Sequence, residues 1–150
     1  MNRRKFLDKS YLGLSTILVA PETITSLGKI DSSSVTNNSK TYAISTWNVS
    51  EANMIAGKAL EGGLSAIEAA VNGVAYEESN LLNTTVGMGG APDRDGVVSL
   101  DACVMNHTGD CGSVLAVENI THVAALAKEV MEKTPHVILA GKGARQFALE

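Results

Sequence analysis

The sequence is poor in aromatic side chains, which make up 4% of its 150 residues. A core without them rests on aliphatic and small side chains, and 14 glycines suit close helix-on-sheet packing and tight turns. Only two cysteines occur, Cys103 and Cys111, too few for a disulfide framework or a cysteine-based zinc site. They fall on the two arms of a predicted hairpin, so a bridge is geometrically open, but two buried free thiols are the expected state. The apolar run at 11–20 has ten residues, about half of the ~20 that a membrane span needs. Basic side chains are scarce: 12 against 16 acidic, and four of the 12 lie in the first ten residues. Without residues 1–28 the balance is 8 to 14, a net charge of −6. An acidic body without a basic stripe argues against nucleic acid and against a polybasic membrane-surface site. Hydrophobic residues reach 45%, so most of the chain can bury a core, and its length suits about one domain.

The first twenty residues, MNRRKFLDKSYLGLSTILVA, join a basic start to that short apolar run, the pattern of an export signal. Arg3-Arg4-Lys5-Phe6-Leu7 is similar to the twin-arginine signals that carry folded proteins across the bacterial inner membrane, with Asp8 where lysine is common. Cleavage is expected at Ser26-Leu27-Gly28. Residues 1–28 are therefore assigned to the leader, and the mature protein is expected outside the cytoplasm, in the periplasm. An ordinary secretory signal with a chance arginine pair is the alternative and leads to the same side. Residues 29–40, KIDSSSVTNNSK, read as a flexible polar leader, and 41–150 as the folded body.

Within the body, 42–47 is a β-prone run that predicts a first strand. Ser50 is placed as the N-cap of a helix ending before Gly62-Gly63. Ser65 with Glu68 is a capping-box pattern, and Ala66, Ile67, Ala70, Val71 and Val74 recur at helical spacing behind it. Residues 79–96 pack four glycines and a proline into a long loop, which in a compact domain is functional or tightly self-packed. Residues 97–105 and 111–117 predict a β-hairpin around the turn 106–110. A helix opens at Thr121 or His122 and stops at Lys133-Thr134-Pro135. A short buried strand or turn over 137–140 and a helix from Gly143 follow. That last helix has no C-cap, so the chain is expected to break off in mid-fold.

Few residues in this pattern bear chemistry. His107, His122 and His136 lack metal-ligand spacing and are expected to be satisfied or exposed. Gly87-Met88-Gly89-Gly90 lacks the lysine and helix start of a phosphate loop; its glycines fit a close backbone approach. Asp93, Asp95 and Asp101 are weighed as acid–base carboxylates, but Asp93-Arg94-Asp95-Gly96 reads better as a turn capping its own backbone. Thr108 reads as a plain turn residue. Trp47 stands at the end of the predicted strand, where a tryptophan is core or walls a ligand pocket.

Several segments together resemble the amino-terminal part of the glycosylasparaginase family of N-terminal nucleophile hydrolases (type 2 asparaginases). They are Ser45-Thr46-Trp47-Asn48, Gly62-Gly63, Ser65-Ala66-Ile67-Glu68-Ala69, Thr85-Val86-Gly87-Met88-Gly89-Gly90 and Pro92-Asp93-Arg94-Asp95-Gly96. Leu100-Asp101-Ala102-Cys103-Val104-Met105 and Met131-Glu132-Lys133-Thr134-Pro135-His136 continue the series, in family order across about 42–150. The resemblance implies an α/β fold that is part of an αββα four-layer sandwich. It also implies a precursor that cuts itself into two subunits and a dimer of the processed heterodimers. The new amino-terminal threonine of the second subunit is then nucleophile and base together, activated by its own α-amine. It would hydrolyse the amide joining N-acetylglucosamine to asparagine, giving aspartate and an amino sugar, without a cofactor or metal.

By the same resemblance, Trp47 matches the pocket tryptophan. Thr85 matches a small hydroxyl residue, usually serine, near the nucleophile and the cleavage site. The nucleophile itself is expected beyond Glu150, so residues 1–150 alone should be inactive, and residues 29–150 alone insoluble or partly folded. An isoaspartyl peptidase or asparaginase of the same family is the runner-up, because that branch also carries a segment like LDAxxM. A non-catalytic exported fragment or binding module is the third reading.

Overall fold

A computed structural model of the chain describes residues 40–150. The expected export leader and all but the last residue of the polar segment 29–40 lie outside the described residues. The described part is mixed α/β, four helices and a small three-stranded sheet.

Helix α1 (Ser50–Glu61) ends at Gly62, whose N–H donates to the Lys58 carbonyl, while the next residue, Gly63, donates to that of Leu60. Ser50 is the first helical residue and not the N-cap; Val49 holds the cap position, with no side-chain hydrogen bond. Helix α2 (Ala66–Glu78) starts at the expected capping box. The Ser65 hydroxyl accepts from the Glu68 N–H, and the Glu68 carboxylate accepts from the Ser65 N–H at 3.0 Å and from its hydroxyl at 2.6 Å. These bonds favour the ionised carboxyl and hold Glu68 below its ordinary pKa, the Ser65 hydroxyl contributing most. Apart from Glu78 at the end of α2, the buried positions of the two helices are small: Ala52 and Ala56 on α1, Ala69, Val71 and Gly73 on α2.

Strands β1 (Ser99–Met105) and β2 (Cys111–Glu118) form the expected hairpin, and β3 (Ile138–Ala140) pairs with β2 in parallel. The turn between β1 and β2 is tied by side chains: Thr108 donates to Asn106 at 2.7 Å and to Asp110 at 2.8 Å. Helix α3 (Val123–Lys133) connects β2 to β3, and α4 (Gly141–Leu149) follows β3 directly. A parallel pair requires such a crossover, so β2–α3–β3 is a βαβ unit.

The hairpin is not regular. Leu100 pairs with Val117 and Ala102 with Val114, so Asp101 stands opposite two residues, Leu115 and Ala116. This is a β-bulge, and Ala116 adopts φ +49 to make it. The bulge residue's N–H would lack a ladder partner; the Asp101 carboxylate accepts it at 2.7 Å. One extra residue also shifts the phase of the strand. Gly112, Val114 and Val117 all face the core, although strict alternation would put 117 on the opposite face from 114.

That core lies on one face of the sheet. Val114 and Val117 pack with Val123, Leu126, Ala127 and Val130 of α3 and Ala144 of α4, with Leu100, Ala102, Val104 and Leu139 alongside. Gly112 is where helix and sheet come closest. A Cβ there would stand 2.2 Å from the Ala127 carbonyl oxygen and 2.6 Å from the Met131 nitrogen. Among the described residues no element covers the other face: Cys103, Met105, Leu115 and Ile138 are exposed along it.

The short strand at Ile138–Ala140 is not buried as expected: of its residues only Leu139 packs on the core, and Ile138 is exposed. Two further expectations need correction. No strand forms over 42–47, since no described strand offers that segment a ladder; Tyr42 and Ile44 are exposed instead, the latter 87%. The cysteines are free as expected but not buried: Cys103 is exposed and Cys111 half-buried.

Candidate functional site

Trp47 sits in a bend at 46–48 just before α1. Its carbonyl accepts the Val49 N–H at 2.9 Å and the Ser45 hydroxyl at 2.7 Å, and Asn53 of α1 donates to the same hydroxyl at 3.0 Å. These bonds fix the backbone of 45–49 against the first turns of α1. Trp47 is left 64% exposed, so it is not a core residue.

The loop after α2 is tightly self-packed, as its glycines require. Glu77 at the end of α2 accepts from Asn83 at 2.9 Å and from Asn80 at 3.4 Å, which anchors the loop's start. Asn83 then turns the chain, its side-chain oxygen accepting from the Thr85 N–H at 3.0 Å and the Thr85 hydroxyl at 2.6 Å. Gly87, at φ +65, folds the loop back over α2; a Cβ there would fall 2.2 Å from the Glu78 carbonyl oxygen. A single turn of 3-10 helix at Gly87–Gly89 follows. The Asp93 turn closes as expected, its carboxylate accepting from the N–H groups of Asp95 at 2.8 Å and Val97 at 2.9 Å. Of the three aspartates weighed as acid–base groups, Asp93 thus caps a turn, Asp101 holds the bulge, and Asp95 lies exposed beside Arg94.

Thr85 and Trp47 are both exposed and share no hydrogen bond. Two open hollows elsewhere include neither residue. One of about 400 Å3 lies among Thr134, His136, Leu139 and Phe147, and one of about 510 Å3 lies between α3 and α4. No group of three or more histidine, cysteine, aspartate or glutamate side chains suited to a metal ion occurs among the described residues.

The residue that sequence reasoning missed is Glu78. It is 3% exposed, and its two carboxylate oxygens are both used. One accepts the Ala124 N–H at 2.9 Å; the other lies 3.2 Å from His122 Nδ1. A buried anion thus caps the N-terminus of α3 from another helix, where unpaired N–H groups and the helix dipole favour negative charge. The partners are 44 and 46 residues away, so no local pattern could reveal the contact.

Residues 23–150 match the asparaginase family model, Asparaginase_2. The chain belongs to the asparaginase family. Among curated relatives it is 42% identical to an N(4)-(β-N-acetylglucosaminyl)-L-asparaginase of Elizabethkingia miricola, over 99% of this chain and 43% of that protein. It is 38% identical to the mouse enzyme of the same name, over 70% of this chain and 31% of that protein. A probable isoaspartyl peptidase/L-asparaginase of Arabidopsis thaliana is 39% identical over 71% of this chain and 30% of that protein. The chain therefore spans less than half the length of each of these relatives. The asparaginase-family resemblance carried by the sequence motifs is shown. The described residues form a mixed α/β fold with one small sheet.

Proposed function

We propose that this chain is the first-subunit part of an amidohydrolase of the glycosylasparaginase type, acting on the amide between N-acetylglucosamine and asparagine. The observation that carries the proposal is the 42% identity to a glycosylasparaginase along nearly the whole chain. The bare sheet face supports it structurally. Strands carrying Met105, Leu115 and Ile138 outward are half of a buried layer, and a second sheet from the rest of the precursor would complete the αββα sandwich. Export by the Arg3-Arg4 leader, with a mature body outside the cytoplasm, and assembly as a dimer of processed heterodimers belong to the same proposal.

In this reading the nucleophile is a threonine freed by self-cleavage in the second subunit. Its α-amine takes the hydroxyl proton, and the oxygen attacks the side-chain carbonyl of the asparagine. The amino sugar leaves, and water releases aspartate from the resulting ester. This chain contributes walls rather than the attacking group. Trp47 presents an exposed indole to an apolar part of the substrate, and Thr85 places a hydroxyl near the nucleophile.

The test is a precursor carrying this chain together with its second subunit. It should cut itself before a threonine and release aspartate from N-acetylglucosaminyl-asparagine. Trp47→Phe should lower kcat/KM while leaving Tm nearly unchanged, because exposed positions contribute within about 0.5 kcal/mol. A loss of Tm without a change in kcat/KM would make Trp47 a packing residue. Hydrolysis of isoaspartyl peptides but not of the glycosylated substrate would favour the runner-up, whose observation is the Arabidopsis relative.

A further inference from the structure

We propose that Asn83 is a positioning residue: it fixes the Thr85 hydroxyl as a hydrogen-bond acceptor toward the second subunit, and Glu77 in turn fixes Asn83. The proposal rests on the reading of Thr85 given above, a hydroxyl near the nucleophile, and adds the residues that aim it. The Asn83 side-chain oxygen accepts both the Thr85 N–H at 3.0 Å and the Thr85 hydroxyl at 2.6 Å. Its side-chain nitrogen donates to the Glu77 carboxylate at 2.9 Å. Only one orientation of the amide satisfies these partners. Turned over, it would set its NH2 against the Thr85 N–H and its carbonyl against a carboxylate.

The fold holds the base of this relay. Glu77 lies in the last turn of α2 and also accepts from the Asn80 side chain at 3.4 Å. The Asn83 N–H donates to the Asn80 carbonyl at 3.0 Å, and Asn83 is half-buried. Gly89 packs on the same turn: a Cβ there would fall 2.4 Å from the Asn83 carbonyl oxygen. Thr85, at the free end, is exposed. Its hydroxyl has one proton to give, and an amide oxygen can only accept, so that proton is committed to Asn83. The lone pairs of the Thr85 oxygen are left for a donor that approaches from outside this chain. Without Asn83 the hydroxyl would rotate between donating and accepting. Asn83 removes the wrong orientation before the partner arrives, which saves the entropy of aligning the group during the reaction.

The experiment uses the precursor that joins this chain to its second subunit, and reads the rate of self-cleavage and kcat for aspartate release from N-acetylglucosaminyl-asparagine. Asn83→Ala should slow the chemistry on the order of tenfold. Thr85→Ala should slow it at least as much. The double variant should be no slower than Thr85→Ala alone, because Asn83 acts through that hydroxyl; a mere packing role would add its own loss. Asn83→Asp keeps an acceptor for Thr85 but sets a carboxylate against Glu77, so it should lose rate. Adding Glu77→Gln to it reverses the polarity of that bond and should bring the rate back to within about threefold of the unaltered precursor. A slow Thr85→Ala beside an unimpaired Asn83→Ala, losses that multiply in the double variant, or no recovery with Glu77→Gln would overturn the role of Asn83 and leave the proposed function standing. An unaltered precursor that releases no aspartate, or a Thr85→Ala variant as fast as its parent, would instead overturn the reading beneath it, and this proposal with it.

Discussion

The two faces of the sheet differ in what completes them. One is finished within this chain: Val114, Val117 and the inward residues of β1 meet α3 and α4, and helix and sheet approach so closely that position 112 has no room for a side chain. The other carries Cys103, Met105, Leu115 and Ile138 to the surface with no described element over them. Positions on the first face hold this chain together; those on the second are the ones that the proposed function assigns to contact with a second sheet.

The largest expected effect is at the finished face. Gly112→Ala drives a Cβ into the backbone of α3 and should cost roughly 3 kcal/mol or more, read as a fall in the denaturant midpoint or as failure to fold. If the variant keeps its stability, the close contact between α3 and β2 is not tight. Next comes Glu78→Ala, which strips the buried cap from Ala124 and a partner from His122. A loss of roughly 2–3 kcal/mol is expected, and Glu78→Gln should recover part of it by keeping an acceptor for the Ala124 N–H. Equal losses in both variants would mean that the negative charge, not the hydrogen bond, matters.

Val117→Ala and Leu115→Ser compare the faces directly, two residues apart on β2. Truncating the buried valine should cost roughly 2 kcal/mol. The exposed leucine should be nearly neutral for unfolding and should reduce aggregation, since it shortens an uncovered apolar face. A large loss at Leu115 would show that the outer face is already covered within this chain.

A smaller effect than at the buried valine belongs to the helical hairpin. Ser65→Ala removes the capping box and should cost about 1 kcal/mol. Because Glu68 is held below its ordinary pKa in the folded chain, its stabilisation is present above the unfolded carboxyl's pKa and fades as pH falls through the folded value. Acid titration of the native chain should show that fade, and Ser65→Ala should flatten it.

What the sequence made legible was local. The capping box of Ser65 and Glu68, the Asp93 turn and the hairpin around Thr108 are each set by neighbours a few residues away, and each appears where its pattern placed it. The Ser50 cap failed because Val49 adopted the cap backbone and no side chain was needed there. The strand over 42–47 failed for a different reason: β-propensity describes a pleated surface that fits a neighbour, and none is described for it. Glu78 and the bulge of Ala116 were invisible because both depend on partners at long range, across 46 residues in one case and across the hairpin in the other. The candidate site was legible only as a resemblance; Trp47 and Thr85 stand exposed and separate, and their roles rest on the proposal.

The most direct measurement is aspartate release from N-acetylglucosaminyl-asparagine, made on the 150-residue chain and on a precursor that joins it to its second subunit. The account predicts no release from the chain alone and turnover by the precursor once it has cut itself before its threonine. Turnover by the 150-residue chain would contradict it, since the attacking group would then lie within this sequence.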